Sequence, residues 1–507
     1  MGVPGGTVRR IVIIGFGPVA ARLIEELEEP LAQSRVHVCV IGSEPEGAYN
    51  RILLANLVTG HSTPQDLDLA CDETNFPEGV TFLTGTTLSD ISLDGQYLHT
   101  TDDRLISFDD LIFATGARAV LPRVPGLDVL DTDPCHLDSI PLPGVHPLRD
   151  MSDARRLREV VETGQDVLVL GGGILGIELA LNLAEHGVQV SLIHRGQDLM
   201  PRQLDPDASR MLAHVLRQAG IQVIPGGING VRSEGGRFTG VVLDDGTVRE
   251  AGALIPAIGA QPRTEWAKKV RLPTHRGILV DHQLRVHGTS NIYAIGDCAE
   301  VLCSNPVCPE CTAIDYQDSA PSGLIGPGWQ QAQALADILD GTHNRVPSQV
   351  SQLITMKSQA VSLTAAGSVH ARAFEQPRVD VATWEDPRTG RYLKVVSRDR
   401  NILGFVALGA PEAGAELAML FERSGAAPGD PSVLLAADTP SGADTAPELT
   451  PESIICRCAG VALAPIQQAV SAGATTVAEV SKCSRAGTGC GGCKDKLESV
   501  VSQAMTA

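Results

Sequence analysis

Apolar residues fall in short dense runs, separated by glycine turns and amphipathic stretches. Ile11-Val-Ile-Ile14 is followed by Gly15-Phe-Gly17-Pro-Val-Ala20 and then by a helical pattern reaching Glu29. A wholly apolar run, a glycine turn and a helix predict a buried parallel strand that opens a Rossmann unit. Val36–Ile41 predicts the second strand, with Glu44 just past its end and 29 residues after Gly15. The same order returns 156 residues later: Val167-Leu-Val-Leu170, then Gly171-Gly-Gly173-Ile-Leu-Gly176, a helix over Ile177–His186 and a strand over Val188–Ile193. An internal repeat of that size predicts two dinucleotide folds in one chain. Three more strands end in small-residue turns: Ile112-Phe-Ala-Thr115-Gly116, Ile255-Pro-Ala-Ile-Gly259 and Ile292-Tyr-Ala-Ile-Gly-Asp297.

Beyond about Val346 the pattern changes to mixed strands (Arg391–Val396, Ile402–Leu408) and a helix over Ala413–Arg423, which predicts a small α+β domain. Residues 425–452 are rich in Ala, Pro, Gly and Ser, with five acids and no base, and predict a flexible tether from about Leu434. Ile454–Ala507 is a short module with five cysteines. The expected fold class is α/β, with two Rossmann-like domains, a small α+β domain and a small helical C-terminal domain. The expected bounds are 1–146 with 278–345 for the first, 147–277 for the second, 346–432 for the third, 433–452 for the linker and 453–507 for the last.

Composition narrows the function classes. The 507 residues carry a net charge of −20 and only 3% aromatics. Such a chain has little to neutralise a phosphate backbone or stack on bases, which argues against nucleic acid, and it would be repelled by an anionic membrane. The apolar stretch at the N-terminus is too short for a signal peptide or a membrane span, so the cytoplasm is expected. There, twelve cysteines are read as metal ligands, catalytic groups or buried thiols rather than disulfides. The charge is uneven: residues 453–507 hold five bases and three acids, a mildly basic module on an acidic body.

The candidate chemistry lies in the turns. Gly15 and Gly17 permit backbone approach to a pyrophosphate at a helix N-terminus, Ala20 takes the third motif position, and Glu44 is suited to bind a ribose. In the second copy, Gly171, Gly173 and Gly176 repeat the cradle. The following strand, however, ends in His194-Arg195 instead of an acid, which favours the 2′-phosphate of NADPH over NADH. Cys39 alternates with valines in a strand and reads as core; neither it nor Cys71 nor Cys135 forms a close pair, so dithiol chemistry is not expected in the first half.

Cys456-Arg-Cys458 followed by Cys490-Gly-Gly-Cys493 supplies four thiolates in two close pairs, able to hold zinc or an iron–sulfur cluster. The glycines around Cys490 let backbone N–H groups approach cluster sulfides. Cys483 falls outside that pattern. Four further cysteines lie within fourteen residues: Cys298, Cys303, Cys308 and Cys311. The last three follow C-x₄-C-x₂-C, and Cys298 or Cys483 is available as a fourth ligand; iron–sulfur, zinc and a plain thiol loop all fit.

Together the two glycine motifs, the Ala-Thr-Gly turn and the Tyr-Ala-Ile-Gly-Asp297 segment resemble the two-dinucleotide-binding flavoprotein reductases over about residues 8–345. That resemblance implies FAD at the first motif, with Thr115, Gly116 and Asp297 near the flavin, and NAD(P)H at the second, with Gly259 near it. It implies hydride transfer from nicotinamide to flavin with no acid or base residue, and Trp329 either beside the flavin or simply packed. The spacing of Cys456, Cys458, Cys490 and Cys493 resembles the bacterioferritin-associated-ferredoxin-like [2Fe-2S] domain. Tyr49-Asn-Arg51-Ile-Leu-Leu54, Leu199-Met-Pro-Arg-Gln-Leu-Asp205 and Leu148-Arg149 with Asp153 resemble the nitrite reductase large-subunit group, which adds Arg51 to the flavin contacts. No sirohaem domain follows within these residues. The expectation is therefore the electron-transfer subunit of an assimilatory nitrate reductase, passing electrons to a separate molybdenum subunit. A ferredoxin, rubredoxin or oxygenase reductase, or an amino-acid or opine oxidase subunit, is the alternative.

Overall fold

The computed structural model describes residues 8–69, 78–127, 142–303, 305, 308–312, 316, 319–342, 344–348, 353–358, 360–375, 377–423, 425–436, 438, 450–456, 461–487 and 493–506. The first apolar run forms strand Arg9–Ile14, central in a parallel five-stranded sheet of order Ile292–Ala294, Asp110–Phe113, Arg9–Ile14, Val36–Ile41, Val80–Leu83. Ile11, Val12 and Ile13 are buried because both faces are covered, as a parallel sheet requires. Helices Pro18–Glu26 and Ile325–Leu339 pack together and share its core through Leu23, Ile24 and Leu335.

The second run forms Val167–Leu170 in a parallel four-stranded sheet of order Gln222–Pro225, Val190–His194, Val167–Leu170, Ala253–Pro256. Two short strands, Ala117–Ala119 and Ala260–Pro262, pair antiparallel where the chain crosses out and back. They lie some distance from the expected boundaries at 146/147 and 277/278. Leu127, Leu142 and Val145 pack with the second sheet's core, whereas Ala267 and Leu272 pack with the first. The expected bounds place the first three in the first domain and the last two in the second, and the packing places each of them the other way.

The third unit is a five-stranded antiparallel sheet of order Leu353–Lys357, Ser362–Gly367, Asn401–Leu408, Arg391–Arg398, Val379–Asp386. Its inner strands alternate between two buried faces. Leu393, Val395 and Phe405 meet helix Pro411–Glu422 through Leu417, while Tyr392, Val406 and Leu408 face Met211 and Leu204 of the second domain. At that seam the Lys394 ammonium pairs with Asp205, whose carboxylate also accepts from Tyr392 Oη at 2.8 Å and from Ala208 N at 2.9 Å. Burial and the neighbouring Asp205 push the Tyr392 hydroxyl up, keeping it a neutral donor.

The linker expected from 433 starts later. Pro431–Ala436 is a 3₁₀ turn whose Leu434 and Leu435 are buried in the third domain, and Asp438 accepts from the N–H groups of Glu412 and Ala413. Two leucines in an Ala/Pro/Ser-rich stretch are enough apolar surface to dock it. The rest of the tether, 439–449, lies outside the described residues. The last unit is small and helical, with Leu463–Ser471, Val477–Ser484 and Lys494–Thr506 around Ile466, Val480 and Leu497. Among the described residues no helix is long and apolar enough to cross a membrane.

Candidate functional site

A cavity of about 1390 Å³ runs from the first glycine turn to the second. Gly15, Gly17, Thr115, Gly116, Asp297 and Trp329 line it on one side, and Gly171, Gly173, His194, Arg195 and Gly259 on the other. No cysteine lines it among the described residues. Gly15, Gly171 and Gly176 each have a steric reason. At Gly15 (φ +105°) a Cβ would sit 2.3 Å from Ala114 O, and at Gly171 (φ +134°) 2.2 Å from Ala257 O. A Cβ on Gly176 would meet Gly171 O at 2.1 Å, so this residue sets the close helix-to-strand packing. Gly17 and Gly173 cap helices Pro18–Glu26 and Ile174–Glu185 with no side-chain bond to the first turn. A phosphate group fits what those open ends offer, N–H donors and the positive end of a helix dipole. Ala20, in the first turn of helix Pro18–Glu26, is buried and does not line the cavity.

Around the first turn the polar side chains are interlocked. Glu44 accepts from Tyr49 Oη at 2.5 Å and pairs with Arg51. The Arg51 guanidinium also donates to Tyr49 Oη at 2.9 Å and to Arg149 O at 3.1 Å, and lies 4.7 Å from the centre of the Tyr49 ring. Burial pushes the Tyr49 hydroxyl up, so it stays a neutral donor and acceptor. Asp297 stands in the 3₁₀ turn Gly296–Cys298 and accepts from Arg149 Nη2 at 2.5 Å; Arg149 Nε holds Ala117 O at 3.0 Å. Thr115 Oγ1 donates to Arg263 O at 2.7 Å. Tyr49 and Arg149 stand in segments already quoted for the family resemblance, although neither is singled out there as a site residue; Arg149 precedes the capping box Asp150–Asp153, and Tyr49 follows Glu44 by five residues.

At the second turn one expectation needs correction. His194 ends its strand 3% exposed, packed under Gly172, with burial lowering its pKa and Nδ1 without a hydrogen-bond partner among the described residues. A neutral, buried imidazole brings no charge to a 2′-phosphate. Arg195, exposed at the rim, keeps that capacity.

Cys456 and Cys493 are both buried in the core of the last domain, and Gly487 N–H points at Cys456 Sγ from 3.4 Å. Buried sulfurs met by a backbone donor fit a cluster's anionic ligands. Cys458 and Cys490 lie outside the described residues. Cys483 is exposed on helix Val477–Ser484. Arg485 follows that helix and reaches Glu25 at 3.4 Å and Glu26 at 3.3 Å on helix Pro18–Glu26.

In the insert, Cys303, Cys308 and Cys311 do converge, but Cys298 does not join them. It is fully buried, 3.4 Å from Phe113 O and 3.2 Å from Ile295 O, a core thiol beneath the turn that carries Asp297. His282 stands in the fourth position. Backbone N–H donors, that of Cys311 first, draw the Cys308 thiol down, and burial pushes that of Cys303 up to about 11.

Comparison with known proteins fits this geometry. The family model for pyridine nucleotide-disulphide oxidoreductases matches residues 9–323, and that for the BFD-like [2Fe-2S] binding domain matches 454–503. A nitrite reductase [NAD(P)H] of Bacillus subtilis is 28% identical over 501 residues, 98% of this chain and 58% of that one. The assimilatory nitrate reductase electron transfer subunit of the same organism is 28% identical over 496 residues, 97% and 59%. The chain thus spans less than two thirds of these relatives' length. Among solved structures, the covalent putidaredoxin reductase–putidaredoxin complex superposes with a TM-score of 0.69 at 19% identity, over 86% of this chain and 97% of that one.

Proposed function

The chain belongs to the pyridine nucleotide-disulphide oxidoreductase family and is an NAD(P)H-dependent flavoprotein oxidoreductase with a [2Fe-2S] domain; we propose that it passes electrons from NADPH to a molybdenum-containing nitrate reductase subunit, in the cytoplasm. The observation that carries this reading is the continuous cavity joining two glycine turns, in a chain that also has a cysteine-bearing module. Bound there, flavin supplies the conversion of a hydride's electron pair into single electrons that an iron–sulfur cluster accepts.

The chain's own residues bind and orient. The helix ends at Gly17 and Gly173 take the two pyrophosphates. Arg149 holds Asp297 at the cavity wall, where the carboxylate would accept from ribitol hydroxyls of a bound flavin. Arg51 and Tyr49 hold Glu44 for the adenosine ribose. With both groups bound, the role of these residues would be to position nicotinamide and flavin in one cavity for hydride transfer, with no acid or base side chain required.

Arg195→Ala is expected to raise KM for NADPH by roughly 10-fold, the loss of one charge-assisted bond, with NADH kinetics unchanged. Equal effects on both nucleotides would remove the phosphate role. For the acceptor, NADPH oxidation is measured with nitrate, with and without the molybdenum subunit. Nitrate-dependent turnover only with that subunit sustains the proposal; reduction of a ferredoxin or rubredoxin instead would overturn it.

The Arg485 contact with Glu25 and Glu26 supports a parked position for the cluster domain. Helix Pro18–Glu26 has nine residues, about 13 Å at 1.5 Å each, so the acids stand at the end away from the glycine turn. Arg485→Glu is expected to undock the domain at low salt, seen as a larger radius of gyration in small-angle scattering. Wild-type protein should reach that state only at high ionic strength. Identical scattering for both at low salt would rule out an electrostatic dock.

A further inference from the structure

The insert after Asp297 gathers three thiols and an imidazole, and the sheet explains how. Ile278–Val280 and Ala299–Val301 run parallel in the register Ile278↔Ala299, Leu279↔Glu300, Val280↔Val301. Two residues past the paired ends stand His282 and Cys303, which this register delivers side by side. Cys308 and Cys311 then come back over them, at the start and within the turn Pro309–Thr312. The donor atoms of His282, Cys303, Cys308 and Cys311 all lie within 4.8 Å of one another. His282 Nε2 is 3.3 Å from Cys308 Sγ and 3.4 Å from Cys311 Sγ.

The histidine's protonation is decided by its other nitrogen. Nδ1 lies 2.8 Å from Val346 O, and a carbonyl only accepts, so Nδ1 carries the hydrogen and Nε2 presents a lone pair to the sulfurs. Metal-bound histidines are oriented in this way, by a second hydrogen bond to a carbonyl. Cys311 Sγ accepts from Cys303 N at 3.2 Å and lies 3.0 Å from Ser348 Oγ. Leu279 and Leu302 wall the cluster, and His282, Cys308 and Cys311 are buried. A chance thiol loop would need none of this arrangement.

We propose that His282, Cys303, Cys308 and Cys311 bind one zinc ion as a structural Cys₃His site. A tetrahedral ion with Zn–S of about 2.3 Å and Zn–N of about 2.0–2.1 Å sets its donors about 3.5–3.8 Å apart, within the span observed. A [2Fe-2S] cluster would spread four ligands over two metal atoms, wider than this convergence. All four coordination positions are filled by protein, which leaves no open site for chemistry. The ion would close the end of the Ile278–Val280 and Ala299–Val301 pair. Through Val346 and Ser348 it would also tie the flavin-side domain to the segment entering the third domain.

The test is elemental analysis of the full-length protein as purified, with flavin and iron counted in the same sample. About one zinc per chain is expected beside the iron of the C-terminal cluster. His282→Gln and Cys311→Ser are each expected to lose that zinc with iron and flavin retained, and Cys483→Ser to keep it. Titration of wild-type protein with a mercurial thiol reagent should release the zinc stoichiometrically, a readout independent of whether any variant folds. Zinc-free protein with full flavin and iron would overturn the assignment, as would extra iron in zinc's place or zinc retained in His282→Gln.

Discussion

Cys456→Ser is expected to abolish delivery of electrons to one-electron acceptors while leaving the flavin's response to NADPH intact. Cys456 is wholly buried beside Ile466 and Leu497, and Gly487 N–H already points at its sulfur. A serine oxygen is a harder, less easily ionised ligand in that place. Even the outer partners of a metal ligand are worth about 10–100-fold, so loss of a ligand itself sets the expected drop at ~100-fold or more. The measurement is anaerobic titration with NADPH, followed by visible absorption, together with iron content and acceptor reduction. Flavin bleaching should proceed at the wild-type rate, because the glycine turns and the cavity belong to other domains. Iron retained at the wild-type level, or acceptor reduction within a few-fold of wild type, would exclude Cys456 as a ligand. A matching loss of flavin reduction would mean the module serves folding instead.

Lys394→Met carries the largest expected effect on stability. The Lys394 and Asp205 side chains are only 6% and 5% exposed, so removing the ammonium leaves a carboxylate buried at the seam between the second and third domains. Breaking a buried pair by deleting one partner costs about 3–5 kcal/mol. Tyr392 and Ala208 still donate to Asp205, which places the loss near the lower end, about 3 kcal/mol. The double replacement of Asp205→Ser with Lys394→Met should recover most of it. Serine still caps helix Pro206–Gln218, and both members of the buried pair are then uncharged. Chemical denaturation of the three proteins checks this. A single variant within about 1 kcal/mol of wild type would mean that water reaches Asp205.

The legible parts of the fold were those fixed by local sterics. Gly15 and Gly171 are glycines because any side chain would strike a carbonyl of the neighbouring strand, and such positions announce themselves as G-x-G after an apolar run. Buried parallel strands read as unbroken apolar runs for a similar reason. The boundaries were less legible. Leu127, Leu142 and Val145, like Ala267 and Leu272, lie in segments of ordinary composition, and only packing beyond the paired strands Ala117–Ala119 and Ala260–Pro262 shows which core each joins.

Chemistry divided in the same way. Cysteine spacing identified Cys303, Cys308 and Cys311 as a group, because ligands close in sequence can share one centre. Their fourth partner came from 21 residues upstream, and only the parallel register of two short strands brings His282 beside Cys303. Cys298, nearer in the chain, is turned into the core. His194 likewise read as a cation by type, yet burial under Gly172 makes it neutral. By itself the sequence determined the repeat, the two cradles and the cysteine pairs, since each rests on what a residue type permits within a few neighbours. The tertiary structure alone decided which distant groups meet, which histidine stays uncharged and where each domain begins. Those depend on burial and on contacts across the sheets, which no local pattern contains.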